Sequence, residues 1–181
     1  MGYTTWFEGQ FAFDCPLTPE HKSYLKAFSE VRHMTWNAEL LEQMEDDPLR
    51  QAVGLPLGEN GRYFTGSAAL HGGVLQHPAL ATIVIASHLP PIPYYGHNVP
   101  PPGVPGFWCH WEPNIEGTAL QWNGIEKFGY YSRWLQFLLE HFLVPWGYRL
   151  DGQVYWRGEH QNDRGVIIVI NNEITTKERP D

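Results

Sequence analysis

The chain has 181 residues, of which 43% are hydrophobic and 14% aromatic, enough apolar material for one domain with a substantial core. Disorder is excluded because it requires low hydrophobicity together with high charge. With 12 basic and 20 acidic residues, a net charge of −8 and no basic cluster, the chain is unsuited to duplex nucleic acid, whose binding depends on Lys and Arg. An acidic chain is likewise unsuited to anionic membrane surfaces.

The cysteine content and the apolar segments indicate a protein of the reducing cytoplasm. Cys15 and Cys109 form no CxxC pair, and a secreted domain usually carries more bridges. The chain opens without the basic and apolar leader of a secreted protein. Residues 137–144, the longest apolar helical stretch, contain Glu140 and His141 and are too short to span a bilayer. We therefore expect a cytoplasmic protein that is not embedded in a membrane.

The N-terminal part of the chain predicts one strand and two helices. Residues 3–14 alternate as a strand does, and Gly9 marks a bulge or a close backbone approach within it. Thr18 and Pro19 open a helix that runs to about residue 34, because Thr caps free amides and Pro is tolerated at the first helical position. Asn37 caps a second helix, which the segment 46–48 stops or kinks.

The remainder predicts an irregular insert followed by strands and one long helix. Residues 54–106 are rich in Gly and Pro, with one candidate buried strand at 80–88. Strands are expected at 107–112, 118–123, 152–158 and 165–170, and the last is continuously β-branched, as a strand covered on both faces would be. The long helix has Glu126 in its first turn and Phe142 near its end.

Short loops between the strands favour antiparallel pairing. The predicted fold is therefore α+β, with a mostly antiparallel sheet of about five strands and two or three helices packed on one face. Residues 1–181 are expected to form a single domain that carries the insert at about 54–106.

The segment 89–111, LPPIPYYGHNVPPPGVPGFWCHW, is the strongest candidate for a binding surface. Its seven prolines stiffen the backbone, which lowers the entropy lost on binding, and its aromatic rings offer faces for stacking. A structural loop whose aromatic residues fill the core is the alternative. The candidate ligand-binding residues are Tyr95, His97, Trp108, His110, Trp111, Trp122 and Glu126.

A hydrolase-like site is the catalytic alternative, with His110 paired to Glu112, Glu126 or Glu159. Neither a metal nor another cofactor is expected, since the histidines lack the spacing of HExxH and no GxSxG, GxGxxG or Walker A loop occurs. Cys109 adjoins His110, but neighbouring residues of a strand point to opposite sides, so a buried spectator thiol is expected.

Several motifs resemble a group of small uncharacterised proteins of bacteria and their phages. They are PGFWCHW at 105–111, QWNGIEKF at 121–128, PWGY at 145–148, WRGE at 156–159 with Asp163 and Gly165, and YTTWF at 3–7. The group's pattern is similar to PGLWCQW, EWDGGEKF, PWGY and WxGE…DxG. The resemblance covers both ends of the chain and implies no established activity. The group's pattern has acidic residues at the two positions where this chain has Gln121 and Asn123.

Three functional hypotheses follow from these patterns. The first is a non-catalytic domain that binds a small molecule or a protein segment in an aromatic pocket, with a sequestering or inhibitory role. The second is the hydrolase-like enzyme. The third is a structural partner subunit, for which a flat exposed aromatic patch would be typical.

Overall fold

The structure is a computed structural model that describes residues 2–44, 47–65, 94–96 and 98–178, except the side chains of residues 43, 44, 94 and 95. The chain divides into two compact units, Met1–Ser29 with Cys109–Asp181 and Glu30–Trp108. The second unit thus interrupts the first in chain order. The expectation of a single domain with an insert at 54–106 stays a prediction, and the predicted strand at 80–88 lies outside the described residues.

The first unit is built on a six-stranded antiparallel sheet, which confirms the predicted fold class with one strand more than expected. Its strands lie in the order β4-β5-β1-β6-β7-β8. They are β1 (Trp6–Phe13), β4 (Trp111–Pro113), β5 (Ala119–Trp122), β6 (Leu150–Arg157), β7 (Arg164–Ile170) and β8 (Glu173–Glu178), while β2 (Thr35–Trp36) and β3 (Tyr94–Gly96) pair in the second unit. The central strand β1 pairs with β6 over its whole length.

The helices are α1 (Pro19–Glu30), α2 (Ala38–Met44), α3 (Pro48–Ala52) and α4 (Tyr131–Leu138), which continues into one π-helical turn, Leu139–Leu143. In the first unit α1 packs on α4 and this turn, with the Tyr24 and Phe142 rings 5.3 Å apart and those of Phe28 and Trp134 6.2 Å apart. The predicted cap of α1 is confirmed, because His21 N donates to Thr18 Oγ1 at 3.2 Å.

Both long helices are shorter than predicted. Helix α1 ends at Glu30, not near residue 34. Helix α4 begins at Tyr131, so Glu126 is not in its first turn. The residues before α4 explain the difference, since Lys127 (φ 64°) and Tyr130 (φ 56°) are left-handed and break any helix through them.

The strand β1 needs a glycine where it crosses β6. Gly9 has φ 108°, and a Cβ there would lie 2.7 Å from the carbonyl oxygen of Gln153. The register with β6 runs without a shift from Trp6 to Phe13, so Gly9 marks the predicted close approach and no bulge.

The two faces of the sheet differ in burial. Phe7, Phe11 and Phe13 of β1 point toward the helices, whereas Trp6 and Glu8 point to the other side, called here the open face. Coverage of both faces of β7 was predicted wrongly. Its Ile167 and Val169 are buried, but Val166 and Ile168 on the open face are only half-buried. Their β-branched side chains suit any pleated strand and do not require a second covering layer.

The strand predicted at 107–112 is reduced to Trp111–Pro113, because residues 107–110 are irregular. Strand β8 was not predicted at all. It joins β7 through Asn171 (φ 50°) and Asn172 (φ 69°), the left-handed pair that a tight hairpin turn requires.

The second unit has its own small core, in which Met34, Trp36, Leu41, Leu57 and Phe64 pack together. The predicted cap of its helix α2 is confirmed, since Leu40 N donates to Asn37 Oδ1 at 3.2 Å. A new helix, α3, starts at Pro48 with Asp47 as its cap, so the predicted stop or kink at 46–48 is confirmed.

Candidate ligand-binding groove

A row of three side chains crosses the open face near one end of the sheet. Trp6 of β1 lies opposite Arg157 of β6, and Arg157 lies opposite Arg164 of β7. Residues opposite each other in antiparallel strands point to the same side, and like charges in that arrangement repel. Two facing arginines therefore concentrate positive charge at one place on a chain whose net charge is −8.

A shallow cavity of 610 Å³ lies beside the two arginines of this row. It is lined by Glu8, Gly9, Gln153, Tyr155, Trp156, Arg157, Arg164 and Gly165. The side chain of Tyr155 is 41% exposed, so a phenol ring stands free on the sheet surface. An apolar ring beside two guanidinium groups suits a ligand that has both an anionic and an apolar part.

A second cavity of 310 Å³ continues the first one toward the edge of the sheet. The two cavities share Glu8, Tyr155, Trp156 and Arg157, and the second adds Trp6, Phe7 and Trp122. The second cavity lies beside the end of β1 that β5 does not reach, since β5 pairs with β1 at Phe11 and Ala12. We call the two cavities together the groove.

The charged side chains of the groove do not neutralise one another. Arg157 lies over the ring of Trp6, with its guanidinium carbon 5.4 Å from the ring centroid. Among the described residues, no carboxylate lies within 4.0 Å of the Arg157 guanidinium, and no cation lies within that distance of the Glu8 carboxylate. Elsewhere on the unit the opposite holds, as Arg149 Nε lies 3.0 Å from Asp151 Oδ2.

The loop between β6 and β7 is held by the N-terminal residues. Tyr3 donates its hydroxyl to Asp163 Oδ2, and Thr4 N donates to Glu159 Oε1 at 2.7 Å. The hydrogen bond to Asp163 raises the pKa of Tyr3, so the phenol stays protonated at neutral pH. These contacts fix the loop that sets the register of Arg157 against Arg164.

Beneath the sheet, Trp111 belongs to a packed aromatic core. It is 1% exposed, and its Nε1 donates to the carbonyl of Tyr131 at 2.9 Å. The rings of Phe7 and Phe128 lie 5.4 Å and 5.3 Å from it. Trp111, one of the candidate ligand-binding residues, therefore offers no exposed face in this structure. Trp122 is half-buried beside the same core and donates through Nε1 to Ile125 O at 3.0 Å.

His110 is 6% exposed, and no carboxylate among the described residues hydrogen-bonds to it. Its ring packs edge-on against Phe128, with centroids 5.0 Å apart, and its Nδ1 lies 3.3 Å from Asn123 Nδ2. Burial lowers the pKa of His110, so the imidazole is neutral at pH 7.

The carboxylates expected to assist His110 lie elsewhere. Glu112 forms an ion pair with Lys26, Glu126 is exposed on the irregular segment before α4, and Glu159 accepts from Thr4. None of the three hydrogen-bonds to His110 in the described part of the chain. Cys109 is fully buried, which raises the pKa of its thiol to about 12.

The other predicted residues lie in the second unit. Trp108 is 40% exposed. His97 and the side chain of Tyr95 lie outside the described residues. Of the candidates named from the sequence, Trp122 lines the groove.

The sequence analysis did not predict that Arg157 and Arg164 lie side by side. The strand pattern placed Arg157 in the strand 152–158 and Arg164 just before the strand 165–170, but only the register of the hairpin puts them opposite each other.

The fold and the groove define an α+β protein with a charged, aromatic groove on the open face of an antiparallel sheet. The chain matches no family model, no curated protein and no solved structure. Membership of the bacterial and phage group stays a prediction.

Two further findings concern the described residues. No three His, Cys, Asp or Glu side chains among them converge closely enough to hold a metal ion. None of the helices formed by these residues has the length and apolar character needed to cross a membrane.

Proposed function

We propose that the protein is a non-catalytic binding protein for a small organic anion with an apolar or aromatic part, and that the groove is its site. The observation that carries the proposal is Arg157, a guanidinium that no carboxylate of the described residues neutralises and that faces Arg164 across the strands. An anion placed beside Arg157 would accept charge-assisted hydrogen bonds from its guanidinium.

The apolar end of the groove supports the second half of the proposal. Trp6 and Tyr155 are 37% and 41% exposed, and Trp122 closes the far end beside Phe7. Rings held on strands lose little side-chain entropy when a ligand stacks on them. The two cavity volumes, 610 Å³ and 310 Å³, fall in the range of small-molecule sites.

The finer aspects of the role are proposals of the same kind. Sequestration or inhibition suits a groove that presents charge and aromatic rings to solvent. A cytoplasmic location suits a chain whose Cys15 and Cys109 are both free thiols.

The test is a thermal-shift and calorimetry panel of adenosine monophosphate, phenyl phosphate and indole-3-propionate, with glucose as a neutral compound. We expect at least one of the anions to raise the melting temperature, since a ligand that binds the folded state stabilises it. Arg157→Gln should then weaken binding by roughly tenfold or more, because a charge-assisted hydrogen bond contributes about 1.5–3 kcal/mol.

Arg133→Gln is the matched control. Arg133 is an exposed arginine of the same unit, and its guanidinium carbon lies 5.6 Å from the Tyr130 ring centroid, much as Arg157 lies over Trp6. Binding that survives Arg133→Gln and fails in Arg157→Gln supports the proposal. Equal losses in both variants, or no binding of any anion, would refute it.

A further inference from the structure

We infer that the ligand of the groove is a zwitterion of the aromatic amino acid kind, in which Glu8 receives the ammonium group. This inference deepens the proposed function and rests on it. It begins from the position of Glu8, which lines both cavities and lies opposite Tyr155 in the register of β1 and β6.

Glu8 and Arg157 are close enough to pair, yet they do not. Because Trp6 lies opposite Arg157, Glu8 lies diagonally across from it. Diagonal neighbours have Cα atoms about 7–8 Å apart, within reach of two long side chains. Arg157 instead lies over the Trp6 ring, and the Glu8 carboxylate forms no ion pair with the described residues. The groove therefore presents both signs of charge to solvent.

The order of groups along the groove gives the order of groups in the ligand. Arg164 lines only the larger cavity, and Trp122 lines only the smaller one. Glu8, Arg157 and Tyr155 lie between them, since both cavities share these residues. A ligand that matches this order has an anionic group beside Arg157 and Arg164, a cationic group beside Glu8 and a ring at the Trp122 end.

An aromatic α-amino acid carries these three groups, with the carboxylate and the ammonium group side by side on Cα and the ring at the other end. Its carboxylate would meet Arg157 and Arg164 through charge-assisted hydrogen bonds, its ammonium group would meet Glu8, and its ring would lie beside Trp122. A simple aromatic carboxylate would satisfy the arginines and leave the Glu8 carboxylate facing another negative charge. Glu8 is thus a specificity-determining residue that favours the zwitterion.

Calorimetry with three related probes tests the inference. L-tryptophan carries both charges, indole-3-propionate lacks the ammonium group, and tryptamine lacks the carboxylate. We expect the unchanged protein to bind L-tryptophan roughly tenfold or more tightly than either analogue, as each charge-assisted contact contributes about 1.5–3 kcal/mol. Glu8→Gln should abolish the preference over indole-3-propionate, and Arg157→Gln should abolish the preference over tryptamine.

The control is Glu173→Gln, which removes an exposed carboxylate from β8, outside the groove. The preference for L-tryptophan should survive it. If indole-3-propionate binds through Arg157 but L-tryptophan binds no more tightly, or if Glu8→Gln leaves the preference intact, the inference fails and the proposed function stands. If none of the anions of the earlier panel binds, the proposed function fails, and the inference that rests on it fails with it.

Discussion

The side-chain amide of Asn123 fixes the tautomer of His110. Asn123 Oδ1 accepts from Ile125 N at 3.0 Å, so Nδ2 is directed at His110 Nδ1, 3.3 Å away. An amide nitrogen only donates, and Nδ1 must therefore accept. The proton of the neutral imidazole is on Nε2. An acidic residue at position 123 would accept instead and would reverse this arrangement.

The first prediction concerns that reversal. Asn123→Asp should raise the pKa of His110 above its value in the unchanged protein, because a nearby carboxylate stabilises the imidazolium. The measurement is a ¹H–¹⁵N NMR titration of the His110 ring. Asn162→Asp, at an exposed position in the loop between β6 and β7, should leave that pKa unchanged. An unaltered His110 titration in Asn123→Asp would show that the two side chains do not interact in solution.

Acidification should destabilise the protein through two histidines whose pKa values are lowered by full or partial burial. Burial lowers the pKa of His110 and also that of His21. Below about pH 6.5 the unfolded state therefore binds protons that the folded state does not. As the pH is lowered through this range, the free energy of unfolding decreases by at most about 1.4 kcal/mol per pH unit for each histidine. Urea titrations between about pH 5 and about pH 6.5 measure this slope.

His110→Gln removes one of these groups, so its slope should be smaller than that of the unchanged protein. His160→Gln changes an exposed histidine of the same unit and should keep the slope. Equal slopes in His110→Gln and the unchanged protein would contradict the assignment.

The close approach of β1 and β6 predicts an intolerant glycine. Gly9→Ala combines a left-handed backbone with a Cβ that would lie 2.7 Å from the Gln153 carbonyl oxygen, and it should cost about 2–5 kcal/mol of unfolding free energy. Gly124→Ala separates the two effects, since Gly124 has φ 82° but open space around it. It should cost only about 1 kcal/mol. Similar costs for the two variants would mean that the strands do not meet closely at Gly9.

The burial of Trp111 predicts a structural role for it. Trp111→Phe leaves a cavity and removes the hydrogen bond to the backbone carbonyl of Tyr131, and it should cost about 2–4 kcal/mol. Trp108→Phe, at a ring that is 40% exposed, should change the unfolding free energy by no more than about 0.5 kcal/mol. Chemical denaturation followed by circular dichroism provides the comparison. The reverse order of costs would place Trp111 at the surface.

Local chemistry predicted much of the fold. Thr18 and Asn37 cap helices because a side-chain oxygen satisfies an amide within three residues, and this effect needs no tertiary context. The early end of α4 escaped prediction because Lys127 and Tyr130 carry ordinary side chains in left-handed conformations. Strand β8 escaped because it is polar and nearly all exposed, so it lacks the apolar alternation of a half-buried strand.

The candidate site was harder to predict because it depends on register. Trp122 was recognised by its residue type, and it does line a cavity. Arg157 and Arg164 are unremarkable in the sequence, and they become a pair only through the alignment of β6 with β7. A shift of that alignment by one residue would move one arginine away from the other. No local sequence pattern specifies which alignment the two strands adopt.

The pairing of β1 also has a consequence for synthesis on the ribosome. Its neighbours β5 and β6 are translated long after it, and the whole segment Glu30–Trp108 emerges first. The nascent chain must therefore keep Phe7, Phe11 and Phe13 unpaired until the C-terminal strands appear, while Glu30–Trp108 has time to become compact. We expect this delayed closure to be slow and the open intermediate to be prone to aggregation, so that expression would depend on chaperones.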